Sequence, residues 1–260
     1  MSKLETPMVL RWWNESGLSG VLAEESPLVA KSGLTQRRRA DAVAVLDSAG
    51  NRVVVDWREL PALEGRDVVV VQAKAAPLCA PLAGQAVGSA WLLHRHSPNS
   101  VRSVLLCTAD DADLRPLVEA HGVEVVVMPE FGGRPFSYPA DGQRLALWGD
   151  RVGGVLRENF ALTDGPRPHR AHAVHVDAAP TGRGSRTSLE GLDVQVLTSA
   201  RSGSKGGTSF GMYTIGMALL HRELARKRGA TSVTTKILTT TTDPTMADMC
   251  VDLGIEFEEV

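Results

Sequence analysis

Residues Gly84–Met128 read GQAVGSAWLLHRHSPNSVRSVLLCTADDADLRPLVEAHGVEVVVM, and residues Gly216–Val260 read GMALLHRELARKRGATSVTTKILTTTTDPTMADMCVDLGIEFEEV. The two stretches align end to end without a gap. Identical pairs are Gly84/Gly216, Ala86/Ala218, Leu92/Leu224, Ser100/Ser232, Val101/Val233, Leu106/Leu238, Thr108/Thr240, Asp111/Asp243, Gly122/Gly254 and Glu124/Glu256. Many of the remaining pairs keep apolar opposite apolar. A register held this long marks an internal duplication, and such a repeat decides the fold before any local reading does. The two copies serve as a small alignment of the chain with itself: what both keep is scaffold, and what one keeps alone is a candidate for chemistry.

Outward from that block the repeat continues with small length changes. Leu10-Arg-Trp-Trp13 and Gly20–Glu24 face Leu145-Ala-Leu-Trp148 and Gly154–Glu158. Each opening reads as a short helix that carries its Glu, with Pro27 limiting the first. Arg39–Asp47 and Arg170–Asp177 alternate with period two, the signal of a half-buried strand. Ser48–Asn51 is a turn by composition and Arg52–Trp57 a second strand, so 41–57 reads as a hairpin. Leu63-Glu-Gly repeats as Leu189-Glu-Gly, each leading into a strand, Val68–Lys74 or Val194–Ala200. The unbroken Val68–Val71 run predicts a strand buried on both faces. Helices follow over about 80–96 and 210–228, then strands 102–107 and 233–239. Helices over 111–120 and 243–252 and final strands 123–128 and 255–260 complete the pattern. The predicted order per unit is α-β-β-β-α-β-α-β, an α/β fold. The expected division is a first unit over 1–130, a Pro- and Gly-rich linker over 131–144, and a second unit over 145–260.

Composition bounds the function. The chain has 260 residues, enough for two domains of ordinary size, and a formal net charge of -2. There is no global pull toward polyanions, so any polyanion site must be a local patch. Cys79, Cys107 and Cys250 lack CxxC spacing, which points to a reduced, cytosolic chain without structural zinc. No apolar run approaches the ~20 residues of a membrane span, and MSKLETP does not read as a signal peptide. No HExxH, GxSxG or Cys/His nucleophile pattern occurs.

The first copy sets Glu24, then Asp41 or Asp56, then Gln72-Ala-Lys74 at the end of the buried strand, then Gly84-Gln85 on a helix. This resembles the PD-(D/E)xK, or restriction-endonuclease-like, nuclease superfamily over residues 15–128 and, in degraded form, 150–260. The resemblance implies tandem restriction-endonuclease-like units, a mixed sheet flanked by helices in each, forming a pseudo-dimer. It implies Asp41, Asp56 and Gln72 as ligands of Mg²⁺ or Mn²⁺, hard cations that favour oxygen. By that resemblance the metal would activate water, Lys74 would stabilise charge developing on phosphorus, Gln85 would position, and Glu24 counts among the catalytic residues. Gln72 stands where the family has an acid and removes one negative charge. A second register, Asp41…Asp56-Trp-Arg58 with Glu24, resembles Holliday junction resolvases, but Arg58 cannot give up a proton. Each of these residues also has a plain structural role open to it, since strand-end carboxylates cap turns and a lysine there reaches solvent.

In the second copy His172 replaces Asp41, Thr198 replaces Gln72, Ala200 replaces Lys74 and Met217 replaces Gln85. Each exchange removes a charge, a ligand or both, so the second unit is expected to be degenerate. It gains Ala200–Phe210, a Gly-rich loop between a strand and a helix, in which Arg201 and Lys205 are placed to hold a phosphate. Two basic clusters, Arg37-Arg38-Arg39 and Arg226-Lys227-Arg228, suit nucleic-acid backbone. The expected activity is Mg²⁺-dependent DNA hydrolysis, DNA over RNA, with a homo-oligomer or protein partner also open. Two other readings stand beside it: an inactive nuclease-like DNA-binding or assembly protein, and a small-molecule enzyme that binds phosphate through 201–209.

Overall fold

A computed structural model describes residues 4–132, 142–164, 166, 168–177, 188–200 and 211–260. The chain divides into two compact units, Met1–Phe136 and Ser137–Val260. In the expected linker, residues 133–141 lie outside the described ones, and a helix already begins at Gly142.

The first unit runs α1 (Glu5–Glu15), β1 (Gly20–Glu24), β2 (Pro27–Val29), β3 (Arg38–Arg39), β4 (Ala42–Leu46), β5 (Arg52–Val55), β6 (Asp67–Ala73), α2 (Ala80–His94), β7 (Ser100–Cys107), α3 (Arg115–Ala120) and β8 (Val123–Val127). Helix α1 buries Glu5, Met8, Val9, Trp12 and Trp13, the i, i+3, i+4, i+7, i+8 stripe of an amphipathic helix. That stripe packs on Leu22, Ala42, Ala44, Val69 and Val71, one face of the sheet. Strand β6 is buried from Val68 to Ala73 because helices cover both its faces. The sheet order is β5-β1-β4-β6-β7-β8. β1 and β6 run antiparallel to β4, while β7, β8 and β5 each run parallel to their inner neighbour.

The second unit runs α4 (Gly142–Val152), β9 (Val155–Ala161), β10 (Arg170–Val176), β11 (Asp193–Ser199), α5 (Met212–Lys227), β12 (Ser232–Thr239), α6 (Pro244–Asp252) and β13 (Glu256–Glu259). Its sheet, β9-β10-β11-β12-β13, repeats β1-β4-β6-β7-β8 in order and in strand sense. The register repeats too. Leu22 faces Ala44 as Leu156 faces His175, and Ala42 faces Val71 as Ala173 faces Leu197. Asp67 faces Ser100 as Asp193 faces Ser232, and Val104 faces Glu124 as Lys236 faces Glu256. Gly20 and Gly154 occupy one position in the two copies for one reason. Each has positive φ, and a Cβ there would lie 2.1 Å from the Val45 carbonyl oxygen or 2.5 Å from the His175 ring.

Two expectations are corrected. Gly20–Glu24 and Val155–Glu158 are strand, not helix; the opening helices are α1 and α4 alone. The tight approach at each Gly seats these short segments against their partner strands. Residues 41–57 do not form a hairpin, because β5 crosses to the far side of β1 and pairs parallel with it. β1 already occupies the free edge of β4. No helix among the described residues is long and apolar enough to cross a membrane.

Candidate functional site

Strand sense brings the C-terminal ends of β1, β5, β6 and β7 and the N-terminal end of β4 to one rim of the first sheet. Across that rim stand Asp56, Glu24, Asp41 and Lys74, each within one residue of its strand end. Asp41 Oδ2 accepts the Ala73 N–H at 2.8 Å, which ties the start of β4 to the end of β6. The Lys74 N–H donates to the Leu106 carbonyl at 2.9 Å and fixes the backbone from which the ammonium springs. Lys74 Nζ then lies 2.7 Å from Glu5 Oε1, a carboxylate buried under the first turn of α1.

Burial pushes the Asp41 carboxyl up to about 6, partly offset by the Ala73 N–H. The neighbouring Glu5 carboxylate raises it further and the Lys74 ammonium lowers it. Asp41, Glu5 and Lys74 thus form one electrostatic cluster, two carboxylates against one cation. Glu24 closes β1 opposite Ala42, next to Asp41. Its Oε1 is buried and takes no hydrogen bond, and burial raises its carboxyl above the ordinary range, helped by Glu25. A buried carboxylate oxygen with no donor is costly unless something else satisfies it.

The remaining predicted residues are placed differently. Gln72 points into the core and donates through Nε2 to Ser89 Oγ of α2 at 2.7 Å, with the residue 1% exposed. Asp56 caps a single 3-10 turn, accepts the Arg58 N–H and pairs with the Arg58 guanidinium at 3.4 Å, while Arg58 stacks over Trp57. Gln85 is half-buried on α2. Arg37, Arg38 and Arg39 lie on the arm between β1 and β4, and Arg39 pairs with Glu25 at 2.8 Å. Arg226 and Lys227 end α5 and Arg228 caps it, where cations complement the helix dipole. Arg226 pairs with Glu223 and Arg228 with Asp164. Arg201 and Lys205 lie outside the described residues, and so does the 201–209 loop.

Glu5 is the member of the cluster that motif reading missed. The signal was present: a carboxylate on the buried stripe of α1, in register with Met8, Val9 and Trp12. An acid is almost never placed there without a partner.

The same rim of the second unit shows what replaced the cluster. His172 Nδ1 accepts the Ser199 N–H at 3.1 Å, the counterpart of the Asp41–Ala73 bond. Buried Arg144, on α4, donates to the Ala200 carbonyl at the end of β11. The Gln72–Ser89 pair is replaced by Thr198 and His221, and neither Thr198 Oγ1 nor His221 Nδ1 has a hydrogen-bond partner. The architecture of the rim is kept while the acid and the ammonium are gone.

Comparison of the chain with family models, with curated proteins and with solved structures finds no match. The donor set of the first rim is the test of fit for a hard divalent cation. It offers Asp41 Oδ1, the oxygen left by the Ala73 bond, and the unpartnered Glu24 Oε1, both carboxylate oxygens. Carboxylate oxygens are the donor type that hard divalent cations take, rather than thiolate- or imidazole-seeking metals.

Proposed function

We propose that the first unit is a divalent-cation-dependent phosphodiesterase acting on nucleic acid, DNA over RNA, built on tandem PD-(D/E)xK-like units of which the second is degenerate. The observation that carries this reading is the convergence of Asp41, Lys74 and Glu5 at one sheet rim, with Glu24 closing the neighbouring strand at the same rim and its Oε1 unsatisfied. Asp41 and Glu24 are the rim carboxylates that would hold Mg²⁺ or Mn²⁺, and the ion would supply charge neutralisation and an acidified water. Lys74, oriented by Glu5, presents an ammonium to the non-bridging oxygens as charge builds on phosphorus. Gln72 has a positioning role: its bond to Ser89 locks the end of β6, on which Lys74 is mounted. The reading differs from the family pattern in drawing its carboxylates from Asp41, Glu24 and Glu5 rather than from position 72.

A second reading, a nuclease-like DNA-binding module without activity, is favoured by that same burial of Gln72, which leaves no ligand on β6. Incubation of duplex DNA with the full chain and Mg²⁺ or Mn²⁺ separates the two. The nuclease reading predicts cation-dependent cleavage that falls at least about a hundredfold in Lys74→Ala and in Asp41→Asn. Asp56→Asn retains it. Binding of DNA without cleavage in either cation leaves the module.

A further inference from the structure

The stretch Ala30–Ala40, AKSGLTQRRRA, carries Lys31, Arg37, Arg38 and Arg39 and no acid, in a chain of net charge -2. It forms the greater part of a two-stranded arm. Pro27 pairs with Arg39 and Val29 with Arg38, and the tip closes as a tight turn in which Ser32 and Thr35 exchange backbone hydrogen bonds. Gly33 takes φ +56° at the first corner, which places Leu34 at the apex, 68% exposed. The base is anchored. Leu28 is buried with its carbonyl 3.4 Å from His96 Nε2, and the Ala40 N–H donates to the Ser26 carbonyl. Lys31 and Arg37 are exposed and take no ion pair among the described residues.

Both stems meet the candidate rim: the Glu25 N–H donates to the Asp41 carbonyl at 2.8 Å. Chain length therefore holds Arg37 within about 14 Å of Asp41, a few phosphates along a duplex. Among its described residues the second unit has no such arm. Between β9 and β10 it has only Leu162–His169, and it is also the unit that lost the acid and the lysine.

We infer that residues 27–39 are a groove-binding arm for duplex DNA, with Lys31 and Arg37 on flanking phosphates and Leu34 in the major groove against thymine methyl groups. This rests on the phosphodiesterase reading for the site beside it. A two-stranded ribbon fits the roughly 12 Å major groove of B-form DNA, whereas the major groove of A-form RNA is too narrow to admit side chains. An apolar apex carries no hydrogen-bonding code, so contact with the C5 methyl is the base interaction open to it.

The test is equilibrium binding of the full chain to a fluorescent duplex in EDTA, which silences hydrolysis. Lys31→Ala/Arg37→Ala is expected to reduce the slope of log K against log salt by about two, at about 0.9 per phosphate contact. Replacing thymine by deoxyuridine in the duplex should weaken the native chain several-fold and leave Leu34→Ser unaffected. Duplex RNA should bind more weakly than DNA. An unchanged salt slope, or equal losses with deoxyuridine in native chain and Leu34→Ser, overturns the arm. Unchanged arm variants together with Mg²⁺-dependent cleavage remove the arm and keep the site. Arm-dependent binding without cleavage removes the site and keeps the arm.

Discussion

Asp41 carries more of the account than any other side chain, and its chemistry makes a prediction of its own. Its carboxyl titrates near 6 in the folded chain against 3.8 when unperturbed, chiefly because it is buried. The folded chain therefore holds the proton more tightly than the unfolded one. The resulting stabilisation is complete below about pH 3.8 and is lost as pH rises through 6. At neutral pH the ionised group is a strain of about 3 kcal/mol, from roughly two pKa units at about 1.4 kcal/mol each. Asp41→Asn keeps an oxygen for the Ala73 N–H and removes the charge. It is expected to raise thermal stability at pH 8 by up to that amount and to be neutral near pH 4; an equal effect at both pH values contradicts the argument. A residue that lowers stability while offering a free carboxylate oxygen is what a binding site requires. The acid at 41 and the lysine at 74 were legible as types at strand ends. Glu5 was not, because no short motif reaches from α1 to β6 and only folding brings them to 2.7 Å.

At the scale of elements, the late half of each unit read cleanly and the early half did not. α2, β7, β8 and their counterparts have long periodic patterns and clear turn residues. β1 is five residues, GVLAE, whose composition suits helix as well as strand, and pairing to β4 decides between them. β5 follows a good turn after β4, yet its partner is β1, a choice made by which sheet edge is free and so invisible locally. The exchange of buried pairs between α2–β6 and α5–β11 has a measurable consequence. Burial pulls the His221 imidazole down to about 3, with His172 and His169 adding to it. Its unfolded value is 6.5, so stability is full above that pH and falls as pH drops from 6.5 toward 3. The expected loss is about 2 kcal/mol at pH 5. His221→Leu should flatten the melting temperature between pH 7 and 5; an unchanged slope excludes His221 as the titrating group.

For the whole molecule, the duplication was readable from ten identities, and the strand register now extends it through β1, β4 and β6, where sequence similarity is faint. Five strands in each sheet share one order and one register while the rims differ, as expected of a duplication whose copies have diverged. The first rim has Asp41, Glu24, Glu5 and Lys74, with the basic arm beside it. The second has His172 and Arg144 at the corresponding rim and, among its described residues, no arm. The clearest single measurement is titration of the full chain with Mn²⁺ at pH 7.5, followed by electron paramagnetic resonance, in the native protein, Asp41→Asn and Asp56→Asn. One ion per chain, abolished by Asp41→Asn and retained by Asp56→Asn, is the predicted result. No bound ion, or binding indifferent to Asp41, contradicts the account.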